Sequence, residues 1–173
     1  MASAKTSWIS SMTIRASPGG AVMRNAAVAF VSALAVELAP DRLSALMADA
    51  ARFNEAVGGI GVTLFDGSRF LSYMEGPVDG LSAAFPRATG ATTPSDTVLL
   101  GRRSAGVRRF ASSPMQCLMV AADELLLVAR SDWNSFVQRM GGTTAAVTAM
   151  EHLAVLVELC QHACPPGDPR RAR

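Results

Sequence analysis

The chain is poor in the residues that carry chemistry. It holds two histidines, three cysteines and one tyrosine in 173 residues, and only 17% of it is charged. Cys117, Cys160 and Cys164 are odd in number and too sparse for a disulfide framework, which points to a reducing, cytoplasmic compartment. Sixteen basic residues stand against fourteen acidic ones, with no long basic stripe, so a nucleic-acid partner is not expected. No apolar run reaches the roughly 18 residues that a membrane-spanning helix needs, so no membrane role is expected either. No G-x-S-x-G, P-loop, zinc pair or dinucleotide fingerprint occurs, which argues against an enzyme. No acid precedes Glu37, while Lys5, Arg15 and Arg24 do. With Ser17-Pro18-Gly19-Gly20, this stretch reads as an unstructured leader, or as a start assigned too early with Met23 as the true beginning, rather than as a targeting peptide.

What is present is a run of alternating element signals. Ala27 to Leu34 is a short apolar run suited to a buried strand. Pro40-Asp41 opens a helix whose apolar stripe is Leu43, Leu46, Met47, Ala50, Phe53 and Val57, and Gly58-Gly59 stops it. Ile60 to Phe65 and Arg69 to Glu75 read as strands joined by a tight turn at Asp66-Gly67, with Gly76-Pro77 ending the hairpin. Val78 to Phe85 reads as a short helix ending near Pro86, and residues 88–95 as loop. Thr97 to Leu100 and Gly106 to Phe110 read as strand segments around a polar kink, and Met115 to Ala122 as a further strand. Two helices follow, one opened by Ser131-Asp132 and running to about Met140, the other from Thr143-Thr144 to His162. The order β-α-β-β-α-β-β followed by α-α predicts an α+β, ferredoxin-like sandwich with two C-terminal helices. The predicted division is a leader over 1–24, a domain over 25–123, a helical extension over 124–164 and a basic tail over 165–173.

One residue does not suit a pure core. Asn54 falls on the apolar stripe of the first helix, four residues after Ala50. The plain reading is a cap that bonds the backbone near Gly58; the sharper one is an amide that holds a polar ligand edge between helix and sheet. By pattern alone the plain reading is favoured.

The segment Arg52-Phe53-Asn54, then Gly61, then Arg69-Phe70-Leu71-Ser72-Tyr73-Met74-Glu75-Gly76-Pro77 resembles the centre of a BLUF domain, the blue-light sensors using flavin. Phe30-x-Ser32, Arg87 and Arg108-Arg109-Phe110 followed by Met115 extend the resemblance over roughly Ala26 to Ala122. It implies FAD as cofactor and a cofactor-binding set of Asn54, Arg87, Ser72, Phe30, Met115 and Ser32. Within that set Asn54 meets the flavin ring and Arg87 lies near the cofactor's polar chain. Three departures from the family pattern are evident: Phe30 stands where the family has its tyrosine, Ser72 where it has its glutamine, and Ser113 where it has its tryptophan. Phenylalanine has no acidic proton and is a poor electron donor, so the usual photocycle is expected to be impaired. Tyr73 neighbours Ser72 on a strand, so its side chain should leave the opposite face.

Other candidates are weaker. Cys160-x-His162-x-Cys164 puts only two of three side chains on one helical face, so buried thiols are the better reading than a metal site. Arg102-Arg103 and Arg108-Arg109 read as a solvated strand edge. The last helix is apolar nearly all round and must be covered, by the sheet or by another protomer. The expected function is a regulatory module that acts through a protein partner or as a homo-oligomer, with no catalysis and no effector domain attached. The alternatives are a flavin-free interaction scaffold and a small-molecule-binding ferredoxin-like domain that matches the hairpin by chance.

Overall fold

The computed structural model describes residues 24–34, 37–90, 97–105, 108–110, 114–134 and 147–163. Its elements in chain order are β1 (Asn25–Ala33), α1 (Pro40–Ala56), β2 (Ile60–Phe65), β3 (Arg69–Pro77), α2 (Val78–Gly90), β4 (Thr97–Ala105), β5 (Met115–Met119), α3 (Ala122–Arg130) and α4 (Ala149–Ala163). The strands form a single five-stranded sheet in the order β4-β1-β3-β2-β5. β1 is antiparallel to both β3 and β4, β2 is antiparallel to β3, and β5 runs parallel to β2. This is the ferredoxin-like α+β arrangement that the element order predicted.

The two-residue period of the strands divides the sheet into two packed faces. Ala26, Val28 and Phe30 of β1 join Met74 of β3 and Leu81, Ala84 and Phe85 of α2 on one side. Ala27, Ala29, Val62, Leu64, Leu71 and Tyr73 face the other side, where they meet Leu125 and Val128 of α3, Trp133, and Met150, Leu153 and Val157 of α4. The C-terminal helices thus cover the sheet face that α1 and α2 leave bare, and the sheet is what buries α4.

Local chemistry explains the element ends. Pro40 begins α1 with Asp41 in its first turn, and Gly58 stops it by taking a left-handed φ of 68°. Thr148 and Glu151 form a reciprocal capping box at the start of α4: Thr148 N–H donates to Glu151 Oε2 at 2.8 Å, and Glu151 N–H to Thr148 Oγ1 at 3.2 Å.

Several expected boundaries move. The β2–β3 turn is centred on Gly67-Ser68 rather than Asp66-Gly67. Gly67 takes φ 96°, and Asp66 Oδ1 accepts from the N–H groups of Ser68 (2.9 Å) and Arg69 (2.7 Å). β3 does not stop before Gly76 but runs on to Pro77, which pairs with Asn25. A side chain at Gly76 would lie 2.8 Å from Gly59 Cα, so the hairpin and the end of α1 touch there backbone to backbone. α2 continues through Pro86 to Gly90. Proline forfeits one helical hydrogen bond, but Phe85 just before it and Thr89 beyond it are both buried, and Thr89 Oγ1 donates to the Phe85 carbonyl at 3.1 Å. β4 is one strand over Thr97–Ala105 rather than two pieces about a kink, because an edge strand tolerates Arg102 and Arg103 within its pairing to β1. α3, which falls where the sequence reading has the end of a strand and the stretch beyond it, precedes Ser131-Asp132, and the helix expected after that pair falls on residues outside the described set. Asp132 makes an isolated bridge to Thr148, and residues 135–146 lie outside the described set, as do the leader, Ser113 and the tail.

Candidate functional site

The apolar stripe of α1 is not fully covered. Leu43, Leu46, Met47, Ala50, Phe53 and Val57 are all only half-buried, and Asn54, a polar residue, is the buried one at 4% exposure. The reason is a cavity of about 300 Å³ between α1, α2 and the sheet. Leu46, Ala50 and Phe53 line it from above, Thr63, Ser72 and Met74 from the sheet, and Met115 from β5. A second cavity of about 60 Å³ shares Leu46, Ala50, Thr63, Ser72, Ala88 and Met115 with the first and reaches Phe30 and Ser32 on β1.

All six residues of the expected set converge here. Asn54, Arg87, Ser72 and Met115 line the larger cavity, and Phe30 and Ser32 line the smaller one. The plain reading of Asn54 as a helix cap is overturned. Its side-chain Nδ2 donates across to the Pro114 carbonyl at 3.0 Å and approaches Met115 Sδ at 3.8 Å, while its backbone carbonyl takes the Gly59 N–H at 2.7 Å. The amide therefore ties α1 to the start of β5 at the cavity wall. Gly61 makes this approach feasible: a Cβ there would sit 2.8 Å from Met115 Sδ and 3.1 Å from Asn54 Nδ2.

Arg87 stands at the rim of the cavity with 53% of its side chain exposed. It is ion-paired with Asp49, and its guanidinium lies over the Phe53 ring, 4.9 Å from the centroid. Asp49 also takes Arg52 at 3.3 Å. The hydrogen bond and charge of Arg87, with a smaller contribution from Arg52, hold the Asp49 carboxyl below the usual carboxylate range.

On the floor, Thr63 and Ser72 are cross-strand partners whose hydroxyls lie 3.1 Å apart. Thr63 and Asp49 are the polar lining residues that sequence reading missed. A polar residue on the alternating face of the otherwise apolar strand Ile60–Phe65 was the available signal for Thr63. Phe30 is 1% exposed and meets Phe85 edge-on, with ring centroids 5.3 Å apart and an interplanar angle of 88°. Tyr73 leaves the opposite sheet face, as its strand position requires. Its hydroxyl donates to Glu75 Oε2 at 2.7 Å, and Glu75 Oε1 accepts from the N–H groups of Arg109 (2.7 Å) and Phe110 (2.8 Å). Burial, then the Glu75 charge, drives the Tyr73 phenol far above its usual range.

Among the described residues there is no group of three or more His, Cys, Asp or Glu placed to hold a metal, and no helix long and apolar enough to cross a membrane. Cys160 is exposed rather than a buried thiol.

Comparison with known proteins bears directly on this site. No curated protein is similar to the chain. The chain is similar to a solved BlrP1 BLUF structure, with 28% identity, a TM-score of 0.49, and coverage of 56% of this chain and 65% of that one. It is also similar to the Klebsiella pneumoniae BlrP1 calcium and cyclic-diGMP complex, at 22% identity and a TM-score of 0.54, over 83% of this chain and 36% of that one. A bacterial light-regulated adenylyl cyclase matches at 14% identity and a TM-score of 0.50, over 55% of this chain and 28% of that one. The last two share the fold, and the chain spans less than two thirds of the length of each of these proteins. The family model described as sensors of blue light using FAD matches residues 26–116, more than half of the sequence and the span that builds the sheet and its cavity. The chain belongs to the BLUF family.

Proposed function

We propose that the chain is a flavin-binding regulatory module whose family light switch is disabled and which acts through a protein partner. The observation that carries this reading is the half-covered underside of α1. An apolar stripe that lines a cavity of about 300 Å³ beside one buried amide is a core that a planar apolar ring would complete. Such volume is at the lower end of the roughly 300–1,000 Å³ typical of small-molecule sites.

The donor set suits FAD. The isoalloxazine ring has two apolar faces and one edge of carbonyls and an N–H, which are the complements of Leu46, Ala50, Phe53 and Met74 and of the Asn54 amide. No hydrogen bond to Asn54 Oδ1 is made by the described residues, which leaves that oxygen as an acceptor at the cavity wall. Arg87, at the rim, would meet the phosphate-bearing chain. When bound, the flavin supplies absorption of blue light. Phe30 offers the excited ring neither a proton nor a ready electron, and the phenol of Tyr73 is on the far face of the sheet, tied to Glu75.

Association through a partner is supported by exposed apolar residues on the C-terminal helices: Leu127 at 56%, Val155 at 53% and Leu159 at 61%. A second reading, a flavin-free scaffold, draws on the Phe30–Phe85 contact, which leaves only about 60 Å³ at the inner end of the site. The absorption spectrum of the purified protein, in darkness and then under blue light, separates them. Flavin bands that stay fixed on illumination are the expected result. Bands that shift and recover would overturn the disabled switch, and no bands even after added FAD would leave the scaffold.

A further inference from the structure

Two charged residues line the larger cavity among the described residues, Asp49 on α1 and Arg87 on α2, and they are bonded to each other. Arg87 Nη2 donates to Asp49 Oδ2, while Asp49 Oδ1 takes Arg52 Nη2 at 3.3 Å. Asp49 is the one side chain that Arg87 hydrogen-bonds among the described residues, and the Phe53 ring lies against its guanidinium. A guanidinium holds a phosphate by donating N–H groups to its charged oxygens. The Asp49 carboxylate carries a charge of the same sign and already takes one of those donors. Both side chains are about half exposed, at 44% and 53%, so the pair is weak enough for a ligand to open. The competition it offers is therefore worth a few-fold in affinity and no more.

Resting on the flavin reading above, we infer that Asp49 sets the site's choice of flavin tail by competing with the ligand's phosphate for Arg87. Two effects act in the same sense. Arg87 is neutralised before a ligand arrives, and a phosphate that reaches it must displace Asp49 and then lie beside a carboxylate. A phosphate thus adds little to binding, and riboflavin, whose tail carries no charge, is held about as well as FMN or FAD. The ring itself lies against the apolar wall and Asn54, away from this contest. Arg52, 73% exposed and absent from the cavity lining, shares Asp49 without taking its place at the mouth.

The test is titration of the full chain, stripped of any flavin, with riboflavin, FMN and FAD, read by flavin fluorescence at low and high salt. The unsubstituted chain is expected to hold riboflavin and FMN within about threefold of each other. Asp49→Asn keeps the shape of the side chain and removes its charge. It should tighten FMN and FAD about threefold and leave riboflavin unchanged. That gain should shrink at high salt and disappear in Asp49→Asn/Arg87→Gln, because Asp49 acts through Arg87. A change of equal size for all three flavins, a gain that persists without Arg87, or no gain for FMN would each overturn the inference. So would an unsubstituted chain that holds FMN more than about tenfold tighter than riboflavin. Asp49 lies on an exposed helix face, and melting curves of the ligand-free variants confirm that the comparison is between folded proteins. If the unsubstituted chain takes up none of the three flavins, the flavin reading itself fails and this inference falls with it, an outcome distinct from every variant result.

Discussion

Phe30 and Ser72 are direct partners across the β1–β3 ladder, on the sheet face that looks into the cavity. The two positions that the sequence resemblance matches to the family's tyrosine and glutamine are therefore one physical locus. A hydroxyl and an amide placed there would bond each other, and losing either alone would strand its partner. Losing both strands nothing, since Ser72 finds Thr63 at 3.1 Å and Phe30 packs on Phe85.

Restoring both residues together should therefore do what neither does alone. Phe30→Tyr/Ser72→Gln, loaded with FAD, is expected to show a reversible red shift of the flavin bands under blue light. Phe30→Tyr by itself buries a phenol oxygen against Phe85 and should lower stability by about 1–3 kcal/mol without any light response. Difference spectra and denaturant melts of the three proteins check this.

Asn54→Ala should act on two properties at once. It removes the bond from Nδ2 to the Pro114 carbonyl, a loss of about 1 kcal/mol, softened because Gly61 N–H still reaches that carbonyl at 3.0 Å. It also removes the one side-chain amide at the cavity wall among the described residues, so retained flavin, read as the ratio of visible to ultraviolet absorbance, should fall several-fold. Unchanged flavin content would remove Asn54 from the binding set.

The single tyrosine gives a clean pH prediction. Burial, with the Glu75 carboxylate next, raises the folded pKa of Tyr73 above its ordinary value of 10.0. The folded state therefore holds this proton more tightly than the unfolded chain. That stabilising contribution is fully present below pH about 10 and is lost progressively as pH climbs beyond it. Phenolate absorbance near 295 nm should stay flat through pH about 10 and rise only as the protein unfolds. A smooth titration at the ordinary value in the folded protein would contradict the buried Tyr73–Glu75 bond.

Gly80→Ala should be costly although it sits in the first turn of a helix. A Cβ there would collide with the Val57 carbonyl oxygen and press on Val57 Cβ at 3.2 Å, where α1 ends against α2. Overpacking of this kind costs about 1–3 kcal/mol. Gly90→Ala, where a Cβ would meet nothing within 4 Å among the described residues, should be neutral or slightly stabilising. Thermal melts of the pair separate crowding from helix propensity.

The element order, the hairpin, the limits of α1 and the opposite aim of Ser72 and Tyr73 follow from local rules that the sequence states outright. Apolar spacing, Pro40, Gly58 and the two-residue period of strands each act within a few residues. Where reading failed, a distant contact outweighed the local signal. Burial of Phe85 and Thr89 carries α2 through Pro86, and pairing with Asn25 carries β3 through Pro77. Thr148 rather than Thr143 opens α4, because its reciprocal bonds to Glu151 are a four-residue match that the twin threonines upstream lack. The site belongs wholly to tertiary structure. Asn54 reaches 60 residues along the chain to Pro114, Arg87 reaches 38 to Asp49, and Thr63 meets Ser72 only because the hairpin register sets them side by side. Residue types and spacings determined which groups could line a pocket. Only the folded sheet, by leaving the stripe of α1 half-covered, decided that there would be one.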